Sequence, residues 1–283
     1  MKQERVKPMN ITVIISVYKD VEALKLVLDS LNTQTYLDSD VLVSEDCQSH
    51  EMKTFLEAYK SKIKIHHISQ KDDGWKKNIA LNNAIRSSTG DYLIFLDGDI
   101  VPYKNFVENH SLMAEENRFL SGRRAEIGPF FTHLIRKRYL SYRLLEKLYL
   151  FFYLFLAIDR GKHLEEGLYL GIDTYLEKKL NGKKKKKMML VGCNFSCWKK
   201  DLELINGFDE DYKGPSVGED VDLAWRFNYF GITYKSVRYI ANTFHLYHGR
   251  SWGGAWEENH KIMKQKKEAK AFRCKNGLVK ESE

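Results

Sequence analysis

Tyr92-Leu93-Ile94-Phe95-Leu96-Asp97-Gly98-Asp99 decides how the rest of the chain is read. Four consecutive apolar residues, Leu93 to Leu96, predict a strand buried on both faces, as in a parallel sheet. Charge then arrives abruptly at the strand's carboxyl end, where open α/β sheets bind their ligands. Asp97 and Asp99 have only a glycine between them, so they can share one hard divalent cation and the phosphates it carries. Asp-Gly-Asp also describes many solvated turns. The metal reading therefore depends on what surrounds it.

Upstream, Ile11 to Val17 is β-branched and apolar and predicts a first strand. Asp20 to Leu31 carries apolar residues at 21, 24, 27, 28 and 31, the spacing of an amphipathic helix with Asp20 as its N-cap. A short strand at 41–43 ends in Glu45-Asp46, a helix follows at 53–60, and a third strand at 63–68. Lys77 to Ser88 predicts a helix, stopped by Gly90 before the strand at Tyr92. This alternation predicts a parallel sheet with helices on its faces. Downstream of Phe106 the alternation stops. Residues 110–187, rich in Leu, Tyr, Phe and Lys, are read as mostly helical, with an apolar helix over Leu144 to Ile158. Lys183 to Lys187 is an unbroken lysine run. Met188 to Val191 and Tyr234 to Ala241 read as strands, Gly218 to Phe230 as a helix stopped by Gly231, and Glu257 to Ala271 as a charged helix.

The 283 residues are 43% hydrophobic, enough for one large domain or two small ones with a core. A net charge of +8 suits anionic partners, and equally a merely soluble surface. Cys47, Cys193, Cys197 and Cys274 show no metal-ligand spacing and read as free thiols. No secretory signal is read at the start, and no apolar run reaches the roughly 18 residues of a membrane span. The expectation is a cytoplasmic protein, at the inner face of the membrane if it binds lipid.

Four acidic or polar constellations fall at strand ends or a helix start. They are Ile14-Ile15-Ser16-Val17-Tyr18-Lys19, Val43-Ser44-Glu45-Asp46, Asp97-Gly98-Asp99, and Gly218-Glu219-Asp220-Val221-Asp222 through Arg226. Together with Gly74-Trp75-Lys76-Lys77-Asn78, Gly192-Cys193-Asn194-Phe195-Ser196 and Asn206-Gly207-Phe208-Asp209-Glu210, in this order, the chain resembles a family 2 glycosyltransferase of the GT-A fold. Its acceptor-side half resembles β-galactosyl- and N-acetylgalactosaminyltransferases. The likeness covers about residues 10 to 110 and 190 to 250. It departs at Ser16, Lys19 and Ser44-Glu45-Asp46. It departs again at Gly214-Pro215-Ser216-Val217, where relatives carry a tryptophan before Gly-Glu-Asp.

The resemblance implies an α/β GT-A sheet in four segments: a nucleotide-sugar half (1–109), a helical insertion open to membrane or oligomer contact (110–187), an acceptor and catalytic half (188–250), and a helical tail (251–283). It implies a UDP-sugar donor and a glycan or lipid-linked acceptor. Inverting, metal-dependent transfer would serve cell-surface polysaccharide or lipopolysaccharide synthesis. Ser16, Val17, Tyr18 and Asp46 are then expected at the nucleotide, Lys77 at the diphosphate, and Asp97 at ribose or metal. Asp99 and His245 are expected as ligands of Mn²⁺ or Mg²⁺, with His248 the alternative histidine. Asp220 is the expected catalytic base, because an inverting transfer needs a carboxylate beside the acceptor hydroxyl. Glu219 is assigned to the acceptor, and Asp222 to a structural pair with Arg226. Trp252 and Trp256 read as core anchors or as a sugar platform. The apolar helix and the lysine run fit an anionic membrane surface, or else a packed insertion with a solvated loop. No nucleic-acid partner is expected, and an oligomer is left open. Two rivals remain at this stage. A sugar-nucleotide-forming nucleotidyltransferase would need a Gly-rich basic loop where Tyr18-Lys19-Asp20 stands, and a non-catalytic basic adaptor would leave the acids unexplained.

Overall fold

The computed structural model describes residues 9–182, 190–249 and 255–281. The first half alternates as expected: β1 (Ile11–Val17), α1 (Val21–Leu31), β2 (Ser39–Glu45), α2 (His50–Ala58), β3 (Ile65–Ser69), α3 (Lys77–Ser87) and β4 (Tyr92–Asp97). Then come β5 (Ile100–Pro102), α4 (Phe106–Met113), β6 (Arg118–Ser121), β7 (Ala125–Glu126), α5 (Pro129–Arg136), α6 (Tyr142–Lys147), α7 (Tyr149–Ile158) and α8 (Tyr175–Gly182). The last elements are β8 (Asn194–Trp198), α9 (Lys199–Leu204), α10 (Asp220–Tyr229), β9 (Thr233–Ser236), β10 (Thr243–His245) and α11 (Trp256–Glu268).

Seven strands form one sheet in the order β3-β2-β1-β4-β8-β6-β9. β1 to β4 are mutually parallel, and β8 runs antiparallel to both β4 and β6. All seven residues of β1 are buried, as a central parallel strand requires. Its side chains alternate between two cores: Ile11, Val13 and Ile15 join the α1 side, and Ile14 joins Leu81, Phe95, Phe195 and Leu223. Asp20 caps α1 as predicted, accepting from the Ala23 N–H at 2.9 Å. A second, three-stranded sheet, β5-β10-β7, sits at the end of β4.

Several sequence expectations are corrected. The 110–187 stretch, read as mostly helical, also contains two strands: β6 enters the main sheet and β7 the small one. The apolar helix expected over 144–158 is two helices, α6 and α7, separated at Leu148 (φ −106°, ψ 28°). The strand read at Met188 to Val191 is instead β8. Leu190 and Val191 form no strand, and the remainder of that stretch lies outside the described residues, as does Lys183 to Lys187. The strand at 234–241 ends at Ser236. Trp256 is 56% exposed against His260 and anchors no core. Trp252 is outside the described residues. All four cysteines are free and buried, as expected.

One polar device joins the two halves and a second braces the later one. On α3, Asn78 donates to the carbonyls of Asp209 (2.7 Å) and Gly218 (3.0 Å), while Asn82 exchanges hydrogen bonds with Phe208. In α10, Arg226 is 1% exposed. Its Nε donates to Asp222 at 2.7 Å and its Nη1 donates to the Ile205 and Gly207 carbonyls, both at 2.8 Å. Asp222 is thus the structural partner the sequence assigned. Removing it would strand a buried guanidinium, so Asp222→Ala is expected to lower unfolding free energy by about 3–5 kcal/mol in urea denaturation.

Candidate active site

The site starts from the turn after β4. The Gly98 N–H donates to the Ser16 carbonyl at 2.7 Å, and a Cβ on Gly98 would come within 2.8 Å of Val17 Cγ2. Only glycine lets the turn pack this closely on β1. Ser16 pairs with Asp97 across β1 and β4. Beyond the turn, the Leu246 N–H donates to the Asp99 carbonyl at 3.1 Å, and His245 pairs with Ile100 across β10 and β5. The small sheet therefore delivers His245 to Asp99.

Lys77, in the first turn of α3, reaches two carboxylates. Its Nζ lies 2.7 Å from Asp97 Oδ1 and 2.9 Å from Glu219 Oε1. Burial works against the ammonium, but Asp97 and Glu219 outweigh it and hold the Lys77 pKa above the usual lysine range. Burial pushes Glu219 up, with Asp97 and Asp220 adding to the rise and Lys77 opposing it. Glu219 makes no capping bond to α10. Its position depends on Gly192, where a Cβ would stand 2.3 Å from Glu219 Oε1. Asp220 begins α10. Its Oδ1 accepts from the Val221 N–H at 2.8 Å, and burial raises its pKa against the help of that bond and one from Gly192.

Asp99, His245 and His248 converge, with one donor atom from each within 4.8 Å of the others. Asp99 Oδ2 is 3.3 Å from His245 Nε2 and 3.2 Å from His248 Nε2, and the two nitrogens are 3.1 Å apart. His248 Nδ1 lies 2.9 Å from the Gly249 carbonyl. A carbonyl only accepts, so Nδ1 carries a proton and Nε2 is the atom turned toward Asp99. Asp99 Oδ2 and the two Nε2 atoms are close enough to one another to hold one cation. Burial opposes ionisation of Asp99, but the His245 hydrogen bond and the His245, His248 and Lys77 charges hold its carboxyl below the usual range.

Lys77, Asp97, Asp99, Glu219, Asp220 and His245 thus line one cleft of about 390 Å³. His248 and Arg124 line it too. His248, the alternative histidine, stands as close to Asp99 as His245 does, and Asp97, expected at ribose or metal, gives its Oδ1 to Lys77. Arg124 was missed, because an arginine beside a two-residue strand carries no sequence signal. Ser16, Val17, Tyr18 and Asp46 are not part of that lining and cluster at the adjoining ends of β1 and β2. Asp46 is fixed by Gln70 Nε2 (2.7 Å) and the Lys76 N–H (2.9 Å), so it holds the loop that leads into α3. The exposed Tyr18 hydroxyl donates to Asp72 at 3.3 Å, and Lys19 pairs with Asp72 at 2.6 Å.

Comparison with known proteins gives the family and the fold. A family model described as glycosyl transferase family 2 matches residues 12–166, more than half of the chain. A second, described as the N-terminal domain of galactosyltransferase, matches residues 176–249. The hyaluronan synthase of Pasteurella multocida is 27% identical over 108 residues, 38% of this chain and 11% of that protein. The chondroitin synthase of the same species is 28% identical over 115 residues, 39% of this chain and 12% of that protein. The chain therefore aligns with only about a tenth of the length of these relatives. Among solved structures, GalNAc-T7 with UDP, GalNAc and Mn²⁺ matches with a TM-score of 0.60 at 12% identity, over 93% of this chain and 48% of that one. The S. aureus TarS fragment with UDP-GlcNAc matches with a TM-score of 0.56 at 14% identity, over 91% and 65%. These likenesses show the fold, which is GT-A.

Gly192→Ala is expected to drive Glu219 off Lys77. Turnover should fall on the order of 10²-fold, the cost of an ångström-scale misplacement, while circular dichroism stays native.

Proposed function

The chain belongs to glycosyl transferase family 2, and from that premise we propose a metal-dependent, inverting glycosyltransferase. It moves a sugar from a UDP-linked donor to a hydroxyl of a glycan or lipid-linked acceptor, in cell-surface polysaccharide or lipopolysaccharide synthesis. The observation that carries this reading is the convergence of Asp99, His245 and His248 with Lys77 and Asp220 on one cleft. The complexes of GalNAc-T7 with UDP and of TarS with UDP-GlcNAc support the donor class, as the hyaluronan and chondroitin synthases support a polysaccharide product.

Asp99, His245 and His248 would hold the cation, whose charge offsets that of the departing diphosphate. Two imidazoles and one carboxylate suit Mn²⁺ better than Mg²⁺, which prefers an all-oxygen shell. Asp97, restrained by Lys77, is assigned to the ribose. Ser16, Val17 and Tyr18 take the nucleoside. Asp46 fixes the loop beside the base and keeps further lone pairs for it. Lys77 and Arg124 bring positive charge to the diphosphate side. Glu219 orients the acceptor. Asp220 takes the acceptor hydroxyl proton while that oxygen bonds to the anomeric carbon from the face opposite the diphosphate. The carbon–phosphate-oxygen bond breaks, UDP leaves with its electron pair, and the anomeric configuration inverts.

Calorimetric titration should show UDP binding that depends on Mn²⁺ in the wild type and is lost in Asp99→Asn. Absence of UDP binding with or without metal would overturn the UDP-dependent reading. Asp220→Asn should keep UDP binding and lose turnover by about 10²–10⁴-fold. The base must be ionised, and burial raises its pKa. The logarithm of kcat/KM should therefore climb with pH through a value above the ordinary aspartate range of about 3.9 and then level off. A flat profile down to that ordinary value would remove Asp220 from the role.

A further inference from the structure

α7, Tyr149–Ile158, is YLFFYLFLAI, ten residues without a charge. Tyr149 and Leu156 turn inward, whereas Leu150, Phe151, Leu154, Phe155 and Ile158 are 76, 67, 71, 52 and 81% exposed. That spacing makes one continuous stripe along the helix. Leu144 and Leu148 extend it upstream. Ring contacts Phe151–Phe152, Phe152–Phe131 and Phe131–Phe130 carry it onto α5, where Phe130 is also exposed. A stripe of this length marks an interaction surface.

The exposed charges around it are mostly positive. Lys147 stands at one end, Arg160 and Lys162 at the other, and all three are exposed. Exposed Lys104 joins Lys147, Leu150 and Phe151 around a groove of about 910 Å³. The neighbouring acids are occupied. Asp159 accepts the N–H groups of Phe130 and Phe131 at 3.0 and 2.8 Å, and Glu146 pairs with Arg143 at 2.6 Å. Glu165 is the exposed exception. An apolar face rimmed by cations matches an anionic lipid leaflet, with headgroups on the rim and acyl chains against the stripe. A two-fold dimer fits less well, because it would set the same cationic rim against itself.

We propose that the α5–α7 face docks on anionic phospholipid membranes without crossing them. Among the described residues no helix is long and apolar enough to span a bilayer. α5 lies between this face and the cleft, since its Thr132 hydroxyl accepts the Tyr247 N–H at 2.8 Å, next to His248. Docking would then set the cleft beside the lipid surface, where a lipid-borne acceptor resides. That purpose rests on the transferase reading, but the docking does not.

The test is co-sedimentation of the full 283-residue chain with phosphatidylcholine vesicles, with and without phosphatidylglycerol. Binding is expected only to the anionic vesicles and should weaken with salt. Leu154→Glu and Lys147→Glu/Lys162→Glu should each reduce it about tenfold or more. Val279→Glu, at an exposed apolar residue elsewhere, should not. Melting curves of the variants should match wild type, because the altered side chains are exposed, and turnover on a water-soluble acceptor should be unchanged. Asp99→Asn should still bind vesicles, which keeps this test separate from that of the donor site. No binding to anionic vesicles, or binding indifferent to Leu154→Glu, would overturn the proposal. A dimer that Leu154→Glu dissociates, without vesicle binding, would give the face to a second copy.

Discussion

One ammonium holds the cleft together. Asp97, Asp99, Glu219 and Asp220 crowd four carboxylates into one small space, which like-charge repulsion and desolvation oppose. Lys77 contacts two of them at once, Asp97 from the parallel half and Glu219 from the start of α10. Its position is in turn secured by α3, whose Asn78 and Asn82 grip the 208–218 segment. The charge balance of the site and the joining of its two halves are therefore the same set of contacts.

The two sheets divide the remaining work. The parallel strands β1, β2 and β4 end at one edge and present polar side chains there, with Gly98 allowing the tight turn. The small sheet does something the large one cannot, since it brings residues from near the end of the chain back to Asp99 through the β5–β10 pairing. Such an arrangement constrains where charges stand far more than which residues surround them. GT-A structures at 12–14% identity can accordingly share most of this chain's shape.

The first half was legible because its signals are local. β1 and β4 are apolar runs ended by charge, α1 has its cap and spacing, and the Asp-Gly-Asp turn shows directly in one dimension. The second half was less so. β8 reads Asn-Phe-Ser-Cys-Trp, and its buried Asn194 and Ser196 are satisfied by His110, with Ser196 also bonded to Tyr92. No pattern in sequence announces such partners. β6 and β7, of four and two residues, are too short for any period. In the cleft, the spacing of Asp97 and Asp99 suggested a shared cation, but spacing could not reveal that Lys77 holds an oxygen of the first. Nor could it show that His248, three residues past His245 in an irregular loop, closes on the same point.

The sheet order has a consequence for how the protein is made. β3, β2, β1 and β4 are complete once the ribosome has passed residue 97, but the outer edge of β4 pairs only with β8, after the whole helical segment has been synthesised. Until then Leu93 to Leu96 border an open edge with unpaired backbone groups, a template for pairing with another nascent chain. Contacts this distant in sequence also slow folding. Aggregation during synthesis should therefore concentrate in the interval between β4 and β8, making that edge the natural point for a chaperone to shield.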